Sequence, residues 1–142
     1  MSAAKPLPRV NETTRPYWDG ARAGRLLLQR CRACASFIHY PRAWCPGCWK
    51  TDLEWVESQG KGRVVTFTVV HQAPLESYAS DVPYVLAVVR LDEGPQMMTN
   101  VVGVEASRVR VDLRVEVVFE ERAGGLRVPQ FRPIAASEEE SR

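Results

Sequence analysis

Four cysteines carry the clearest chemical signal in this sequence of 142 residues. They form two Cys-x-x-Cys pairs, Cys31 with Cys34 and Cys45 with Cys48, and ten residues separate the pairs. Structural zinc takes four ligands in a tetrahedron, and each pair can present two thiolates from one tight turn. A hairpin of ten residues can carry the second turn over the first. The spacing therefore predicts a metal site formed by all four cysteines.

The nature of the metal follows from the ligands. Four thiolates leave no coordination position for water or substrate, so we expect structural Zn²⁺ rather than a catalytic ion. Iron in a rubredoxin-like site is the alternative metal, because the ligand set alone does not choose between the two. Two disulfides, or a pair of turns that has lost its metal, are the other interpretations of the pattern.

Composition is that of an ordinary globular protein, with 45% apolar residues, 25% charged residues and a net charge of +2. This balance argues against global disorder and against a strongly basic nucleic-acid binder. The longest wholly apolar run, 84–89, is far shorter than the roughly 20 residues of a membrane span. Residues 1–18 contain no apolar stretch of the kind found in secretion signals. We therefore expect a cytoplasmic protein, where clustered cysteines bind metal more often than they form disulfides.

Hydrophobic periodicity divides the chain into four segments. Residues 1–24 are predicted to form an arm and a short helix, and residues 25–58 to form the cysteine segment. Residues 59–134 read as strands, and residues 135–142 as a disordered acidic tail. The helix would start near Pro16 with Thr13 or Thr14 as its cap, end at Gly24 and have an apolar side made of Tyr17, Trp18 and Ala21.

Period-two patterns predict five strands in the third segment. The first, 63–70, places Val65, Phe67 and Val69 on one face, and the second, 84–91, is apolar enough to be covered on both faces. Turn 92–95 leads to a returning strand at 96–102, and Gly103 to Val109 could hold one helical turn. The last two strands are an alternating run from Val111 to Phe119 and a strand over 126–131, limited by Pro129 and Pro133.

Five short strands without a long helix between them indicate a small antiparallel barrel. A five-stranded OB-fold barrel is the economical closure for about 70 residues. The predicted fold class is therefore mostly β, with a short N-terminal helix, a zinc ribbon and a barrel.

Other residues that could do chemistry are few. His39 lies between the cysteine pairs and His71 follows the first barrel strand, but nothing in the spacing supplies either with a nucleophile or partner. Asp92 and Glu93 are adjacent acids in a turn, where solvated carboxylates are normal. The 13-residue connection 71–83 is a candidate recognition loop. We therefore assign no catalytic residue.

Residues 16–133 resemble a family of rubredoxin-like zinc ribbon plus OB-fold proteins, long catalogued as domain of unknown function thirty-five. The resemblance rests on an ordered set of short motifs at 17–20, 24–31, 41–48, 60–68, 91–94 and 129–133. Rubredoxin-type turns commonly place glycine after the second cysteine of each pair, where a positive φ is favoured. In this sequence those positions are Ala35 and Trp49.

The resemblance implies an N-terminal helical hairpin, a zinc ribbon and an OB-fold barrel, with Cys31, Cys34, Cys45 and Cys48 as metal ligands. It also implies a non-catalytic subunit that docks on an acyl-CoA enzyme and helps to bind acyl-CoA. Family partners are thiolases, thiolase-like aldolases, synthases, or hydratases of the hot-dog fold. No catalytic residue carries over from the family, because the partner supplies the chemistry.

Two other functions compete with the accessory subunit. Zinc ribbons and OB-fold barrels also bind single-stranded nucleic acid. Residues 61–142 carry ten basic and twelve acidic residues, against nine and five in residues 1–60, so the half with the barrel lacks the positive charge that phosphates require. An independent enzyme would have to be built on His71, Asp92 and Glu93.

Overall fold

A computed structural model describes residues 5–134, so residues 1–4 and the predicted tail at 135–142 lie outside the described range. The regular elements of this range run, in order, as α1 (Arg15–Arg22), β1 (Leu27–Cys31), β2 (Phe37–Ile38), β3 (Leu53–Glu57), β4 (Lys61–Val70), β5 (Tyr84–Leu91), β6 (Gln96–Val101), β7 (Arg114–Glu121) and β8 (Arg127–Pro133). Short 3-10 turns occupy Glu76–Tyr78, Ala106–Arg108 and Ala123–Gly125. The predicted mostly β fold class is confirmed.

Local hydrogen bonds determine where α1 begins and ends. The Asn11 N–H donates to the Thr14 hydroxyl at 3.1 Å, and the Thr14 N–H donates to the Asn11 side chain at 2.9 Å. The Thr14 side chain therefore serves the preceding turn and makes no cap bond to the helix. After the helix, Gly24 has φ +77° and donates its N–H to Ala21 O at 3.0 Å, a left-handed C-terminal cap.

Within residues 5–134, α1 is the one α-helix, although the family resemblance implied a helical hairpin. Tyr17 and Ala21 are buried and Trp18 is half-buried, as the apolar side of the predicted helix requires. The chain then turns directly into β1, since Leu26 is already buried two residues beyond Gly24. No helix in this range is long and apolar enough to cross a membrane.

A three-stranded antiparallel sheet, ordered β2-β1-β3, forms the ribbon. β1 is its central strand and pairs Gln29 with both Ile38 of β2 and Trp55 of β3. Leu28 on β1 joins the core that continues into the barrel, whereas Cys31 at its end joins a separate small cluster with Ile38 and Cys45. The sheet therefore anchors the ribbon on the barrel and holds the cysteines away from it.

The five remaining strands close into a barrel in the order β4-β5-β6-β8-β7. Neighbouring strands are antiparallel except β6 and β8, which meet in parallel at the single pair Val101 and Phe131. The fully buried side chains at the centre are Val64, Val89, Leu91, Val115 and Phe131. This closure is the five-stranded barrel that the sequence predicted.

The register of β4 differs from the predicted alternation. A β-bulge between Val64 and Thr66 inserts one extra residue into the strand. Val65 is therefore 38% exposed while Val64 is fully buried, and the inward face resumes at Phe67. The prediction that Val65 shares a face with Phe67 and Val69 is wrong, because a strict period of two cannot anticipate a bulge.

β7 starts later than its alternating pattern predicted. Asp112 has φ +69° and forms a turn, so Val111 lies outside the strand and is 54% exposed. Arg114, the first residue of β7, is 4% exposed although the pattern placed it on the polar face. Its burial is tolerated because Asp92 pairs with it, as described below.

β8 runs through Pro129 and ends at Pro133, beyond the limit that these prolines suggested. Val117 of β7 donates its N–H to Gly60 O at 2.7 Å, on the side away from β8. Its partner Phe131, and with it Pro129 and Pro133, therefore direct their backbone groups away from β7. The prolines remove no bond from the β7–β8 ladder, which is why the strand accepts them.

Candidate metal centre and adjoining surfaces

Two short turns bring the four cysteine sulfurs together. Cys31 ends β1 and Cys34 lies in the turn that follows it, while Cys45 and Cys48 lie in the loop that precedes β3. All four Sγ atoms lie within 4.8 Å of one another. The closest contacts join the two turns, with 3.5 Å between Cys31 Sγ and Cys48 Sγ and 3.6 Å between Cys34 Sγ and Cys45 Sγ. The hairpin expected between the pairs therefore forms.

The two turns have the same backbone geometry. Ala35 N–H donates to Cys31 O and Trp49 N–H donates to Cys45 O, both at 2.8 Å. Ala35 has φ +64° and Trp49 has φ +67°, in the left-handed region that glycine adopts at least cost. The rubredoxin-type conformation is thus retained at both positions without a glycine.

Hydrogen bonds from the ribbon hold the second turn in place. The buried Gln29 side chain donates to Arg42 O and accepts the Arg42 N–H, both at 2.7 Å. Cys45 N–H donates to Lys50 O at 2.8 Å, and Gly47 N–H donates to Cys45 Sγ at 3.3 Å. An N–H directed at a sulfur favours the thiolate, which is the form that binds metal.

The cysteines of the cluster differ in pKa. The Ser36 hydroxyl lies 3.2 Å from Cys34 Sγ, and its side-chain and backbone hydrogen bonds lower the pKa of Cys34 to about 6. The Lys50 N–H lowers the pKa of Cys48, but burial and the neighbouring cysteines outweigh this effect and raise that pKa to about 11. Four adjacent thiolates repel one another, so a central cation is what would allow all four to ionise.

A tetrahedral metal ion fits between these sulfurs. With four sulfurs about 2.3 Å from zinc, neighbouring sulfurs lie about 3.8 Å apart. The closest pairs, at 3.5 and 3.6 Å, would need to move outward only slightly. A disulfide needs sulfurs about 2.05 Å apart, and all four cysteines are free thiols. The residues therefore make a candidate metal site, and the two-disulfide interpretation does not describe this structure.

Neither histidine joins the cysteine cluster. His39 packs against the rings of Tyr17 and Tyr40, with centroid separations of 5.4 and 4.2 Å. Burial lowers its pKa to about 4, and neither ring nitrogen has a hydrogen-bond partner within residues 5–134. His71 is exposed just after β4. His39 thus occupies a packing position, and His71 stands apart from the cysteines.

The adjacent acids of the β5–β6 turn make structural contacts. Asp92 pairs with both terminal nitrogens of Arg114, at 2.7 and 3.1 Å, and so compensates a side chain that is 5% exposed. Glu93 accepts the Ser58 hydroxyl and the Gln59 N–H, both at 2.9 Å. The turn is thereby tied to β7 and to the segment that joins the ribbon to the barrel. Sequence reasoning missed these partners, since all of them are distant along the chain.

The 71–83 connection borders a cavity of about 280 Å³ at one end of the barrel. The N-terminal arm reaches across it through Lys5, whose Nζ lies 2.5 Å from the Asp81 carboxylate and 3.3 Å from that of Glu120. The same ammonium lies 5.3 Å from the centre of the Tyr78 ring, and its hydrogen bond to Asp81 raises the pKa of Lys5. The predicted recognition loop is therefore partly covered by the chain's own arm.

A second cavity, of about 310 Å³, lies where α1, the ribbon and the barrel meet. The Tyr40 hydroxyl accepts the Met98 N–H at 2.9 Å, at the edge of β6 that β8 leaves unpaired. The walls of this cavity are mainly apolar and aromatic and include Tyr17, Trp18, His39, Tyr40, Met97 and Pro129. No local sequence pattern indicated this cavity, because its walls come from four separate parts of the chain.

Family models match most of the chain. Residues 18–54 match the rubredoxin-like zinc ribbon domain of ChsH2, and residues 55–120 match the C-terminal OB-fold domain of ChsH2. The two matched domains occur in the same order as the ribbon and the barrel of this chain.

Individual proteins are similar over most of this chain. A probable enoyl-CoA hydratase alpha subunit from Thermomonospora curvata is 34% identical over 96% of this chain, which spans only 42% of that protein's length. A DUF35 domain-containing scaffold protein from Pyrococcus furiosus is 35% identical over 86% of this chain and 93% of its own length. A solved structure, the Ltp2-ChsH2(DUF35) aldolase, superposes with a TM-score of 0.81 and 34% identity over 89% of this chain and 98% of the matched chain.

Proposed function

Because this chain belongs to the DUF35 family of zinc-ribbon and OB-fold proteins that includes ChsH2, we propose that it is an accessory subunit of an acyl-CoA-processing enzyme. The observation that carries the proposal is the likeness over 98% of a chain from the Ltp2-ChsH2(DUF35) aldolase. The similar part of a hydratase alpha subunit supports the same class of function. The scaffold protein from Pyrococcus furiosus supports a role in assembly rather than in chemistry.

The partner is a thiolase-superfamily enzyme, such as a thiolase, aldolase or synthase, or else a hydratase of the hot-dog fold. The aldolase likeness supports the first class and the hydratase relative supports the second. The chain contributes surface to this partner and helps it to bind acyl-CoA. Sixteen arginines against three lysines are suited to phosphate contacts, since guanidinium binds phosphate in a bidentate fork.

The chain supplies no catalytic group of its own. Asp92 and Glu93, the acids that an independent active site would need, are engaged by Arg114 and by the segment between ribbon and barrel. His71 is exposed on a different connection. Chemistry in the complex would therefore come from the partner subunit.

The metal is zinc, held by Cys31, Cys34, Cys45 and Cys48. Zinc bound there supplies a cross-link between the two turns, and no ligand position remains for substrate. Ser36 and the backbone N–H groups of the turns hold the thiolates, and Gln29 fixes the loop between the pairs. Four thiols of this kind persist in a reducing compartment, which supports a cytoplasmic location.

The chain is divided by function as well as by fold. The ribbon at 25–58 carries the cysteine turns, while the barrel at 59–134, together with the arm and helix that pack on it, provides the stable base. Ser58 and Gln59, which both bond to Glu93, form the junction. This division lets the ribbon dock on a partner while the barrel is stabilised by its own core.

The direct experiment is to express the tagged chain in its native host and identify what copurifies. We expect one acyl-CoA enzyme subunit in a fixed ratio to the chain. The recovered subunit, expressed separately, should regain full turnover of its acyl-CoA substrate only when the purified chain is added back. An untagged host extract passed over the same resin is the control. Recovery of the chain as a monomer, or with nucleic acid alone, would contradict the proposal.

A further inference from the structure

Trp49 occupies a position that its own fold disfavours. Its φ of +67° lies in the left-handed region, which is sterically unfavourable for a residue with a side chain. Burial of the indole offsets little of this unfavourable conformational energy, since Trp49 is 73% exposed. The equivalent position of the first turn, Ala35, has the same backbone conformation and the smallest possible side chain. The folded chain alone therefore gives no reason for a tryptophan here.

A second exposed indole lies beside the first. The rings of Trp44 and Trp49 are stacked, with centroids 6.3 Å apart and planes inclined by 11°. Trp44 is 44% exposed, and neither residue belongs to a core cluster within residues 5–134. Tryptophan is the residue type most enriched among the side chains that dominate binding energy at protein interfaces.

Hydrogen bonds hold the backbone on both sides of the indoles. Gln29 holds the Arg42 backbone through two bonds of 2.7 Å, and Cys45 accepts the Trp49 N–H at 2.8 Å. Stacking further restricts both indoles. Binding at such a surface loses little conformational entropy, which is the usual penalty for ordering large side chains at an interface.

The segment that carries the indoles has charges of a single sign. No acidic residue occurs from Ala33 to Thr51, while Arg42 and Lys50 are exposed and make no ion pair within residues 5–134. The three acids of the ribbon are each paired with an arginine in or next to β1: Asp52 with Arg32, Glu54 with Arg30 and Arg32, and Glu57 with Arg25. The indole surface therefore keeps two uncompensated cations.

We propose that Trp44 and Trp49, flanked by Arg42 and Lys50, form the surface that docks on the catalytic subunit of the acyl-CoA enzyme. The complementary surface is an apolar recess with carboxylates at its rim, since apolar contact gives affinity and opposite charge gives orientation. A second copy of this chain would bring like charges together at the rim. Nucleic acid would need a longer track of cations than the two that flank the indoles. The inference rests on the proposed function and specifies its interface.

Trp49→Gly tests this surface without attacking the fold. Glycine is the residue that φ +67° favours, so the variant should keep its metal and equal or exceed the Tm of the wild-type chain. Its Kd for the enzyme subunit that copurifies with the wild-type chain, purified separately, should rise at least about 30-fold. Ala35→Gly is the matched control, because it relieves the same strain in the first turn. Its affinity should stay within about threefold of wild type.

A second variant makes the test independent of Trp49. The double variant Arg42→Glu/Lys50→Glu should weaken the same complex about tenfold, mainly through slower association, and added salt should weaken its binding less than it weakens that of wild type. If both variants bind like wild type while the complex itself forms, the docking surface is wrong and the proposed function stands. If the wild-type chain recovers no acyl-CoA enzyme, both fall. Three outcomes would overturn the inference. The first is loss of metal in Trp49→Gly. The others are self-association, or binding of a single-stranded oligonucleotide, that the wild-type chain shows and Trp49→Gly lacks.

Discussion

Residues 31–52, which we call the knuckle end, bury only Cys31, Ile38 and Cys45 in a cluster of their own, whereas the cluster centred on the barrel contains fourteen buried side chains. Two of the three buried residues at the knuckle end are cysteines, which can contribute to stability through a metal as well as through burial. The barrel closes its sheet and leaves few unpaired edges. The barrel is therefore held by apolar burial, and the knuckle end, which buries little, is the part that the proposed metal would have to stabilise.

Cys45→Ser should have the largest effect, and it should be confined to the knuckle end. Structural zinc sites contribute about 10–16 kcal/mol of apparent binding free energy, so loss of one ligand should abolish stable metal binding and unfold residues 31–52. Metal analysis and hydrogen exchange measure the two effects separately. Amides of β4–β8 should keep their protection, because the barrel core does not include the cysteines.

Ser36→Ala is the control for that variant. It removes a hydroxyl beside Cys34 Sγ but no ligand, so the metal content should remain that of wild type. Full metal content and unchanged protection in Cys45→Ser would contradict the proposed four-cysteine site.

Phe131→Ala should produce the reverse pattern. Phe131 is fully buried on β8, and truncation of such a side chain costs about 3–5 kcal/mol through lost burial and the cavity left behind. Denaturant unfolding should report this loss, while metal content under native conditions stays unchanged. Val65→Ala, at the exposed bulge, should alter the free energy of unfolding by no more than about 0.5 kcal/mol. A loss below about 1 kcal/mol for Phe131→Ala would show that the barrel does not depend on this core.

His39→Phe addresses the boundary between the two regions. Burial lowers the pKa of His39 to about 4, against 6.5 for the unperturbed side chain. Between these values the unfolded chain binds a proton that the folded chain does not, so His39 makes stability fall as the pH drops from 6.5 to 4. Tyr17, Tyr40 and Arg9 also line its cavity and are unchanged in the variant.

The difference in free energy of unfolding between wild type and His39→Phe isolates this contribution, since acid release of metal affects both proteins. Wild type should lose stability relative to the variant as the pH is lowered through that window. A difference that does not vary with pH would show that His39 is solvated and titrates normally.

Glu93→Gln should have the smallest effect. The variant weakens the bonds from Ser58 and Gln59 that link the turn to the junction, which should cost about 1 kcal/mol. Glu76→Gln, at an exposed position, is the matched control and should be neutral. Equal melting temperatures for the two variants would show that the bonds from Ser58 and Gln59 to Glu93 do not stabilise the fold.

Sequence alone predicted the features that depend on short distances along the chain. The Cys-x-x-Cys turns, the cap at Gly24 and the hairpin through residues 92–95 are local, so residue type and spacing were sufficient to predict them. The alternation of apolar residues likewise predicted the barrel, because strands with one inward face need closure. The positive φ at Ala35 and Trp49 was not predictable in the same way, because neither residue is the glycine that such a turn favours.

The features that sequence did not predict depend on distant partners. The sequence pattern predicts that Arg114 is a surface residue, whereas the fold buries it beside Asp92. Lys5 reads as part of a polar arm until the fold brings Asp81 and Glu120 to it. The bulge at Val65 was missed for a related reason, since pairing with β5 rather than local propensity sets the register.

The composition and activity of the complex isolated from the native host test the proposed accessory role most directly. Native mass spectrometry should find this chain bound to one kind of acyl-CoA enzyme subunit, with one zinc ion per copy of the chain. Removal of the chain should lower turnover by the partner, and the chain alone should show none. A chain that is isolated free of any enzyme, or that turns over acyl-CoA by itself, would contradict the claim that it is an accessory subunit.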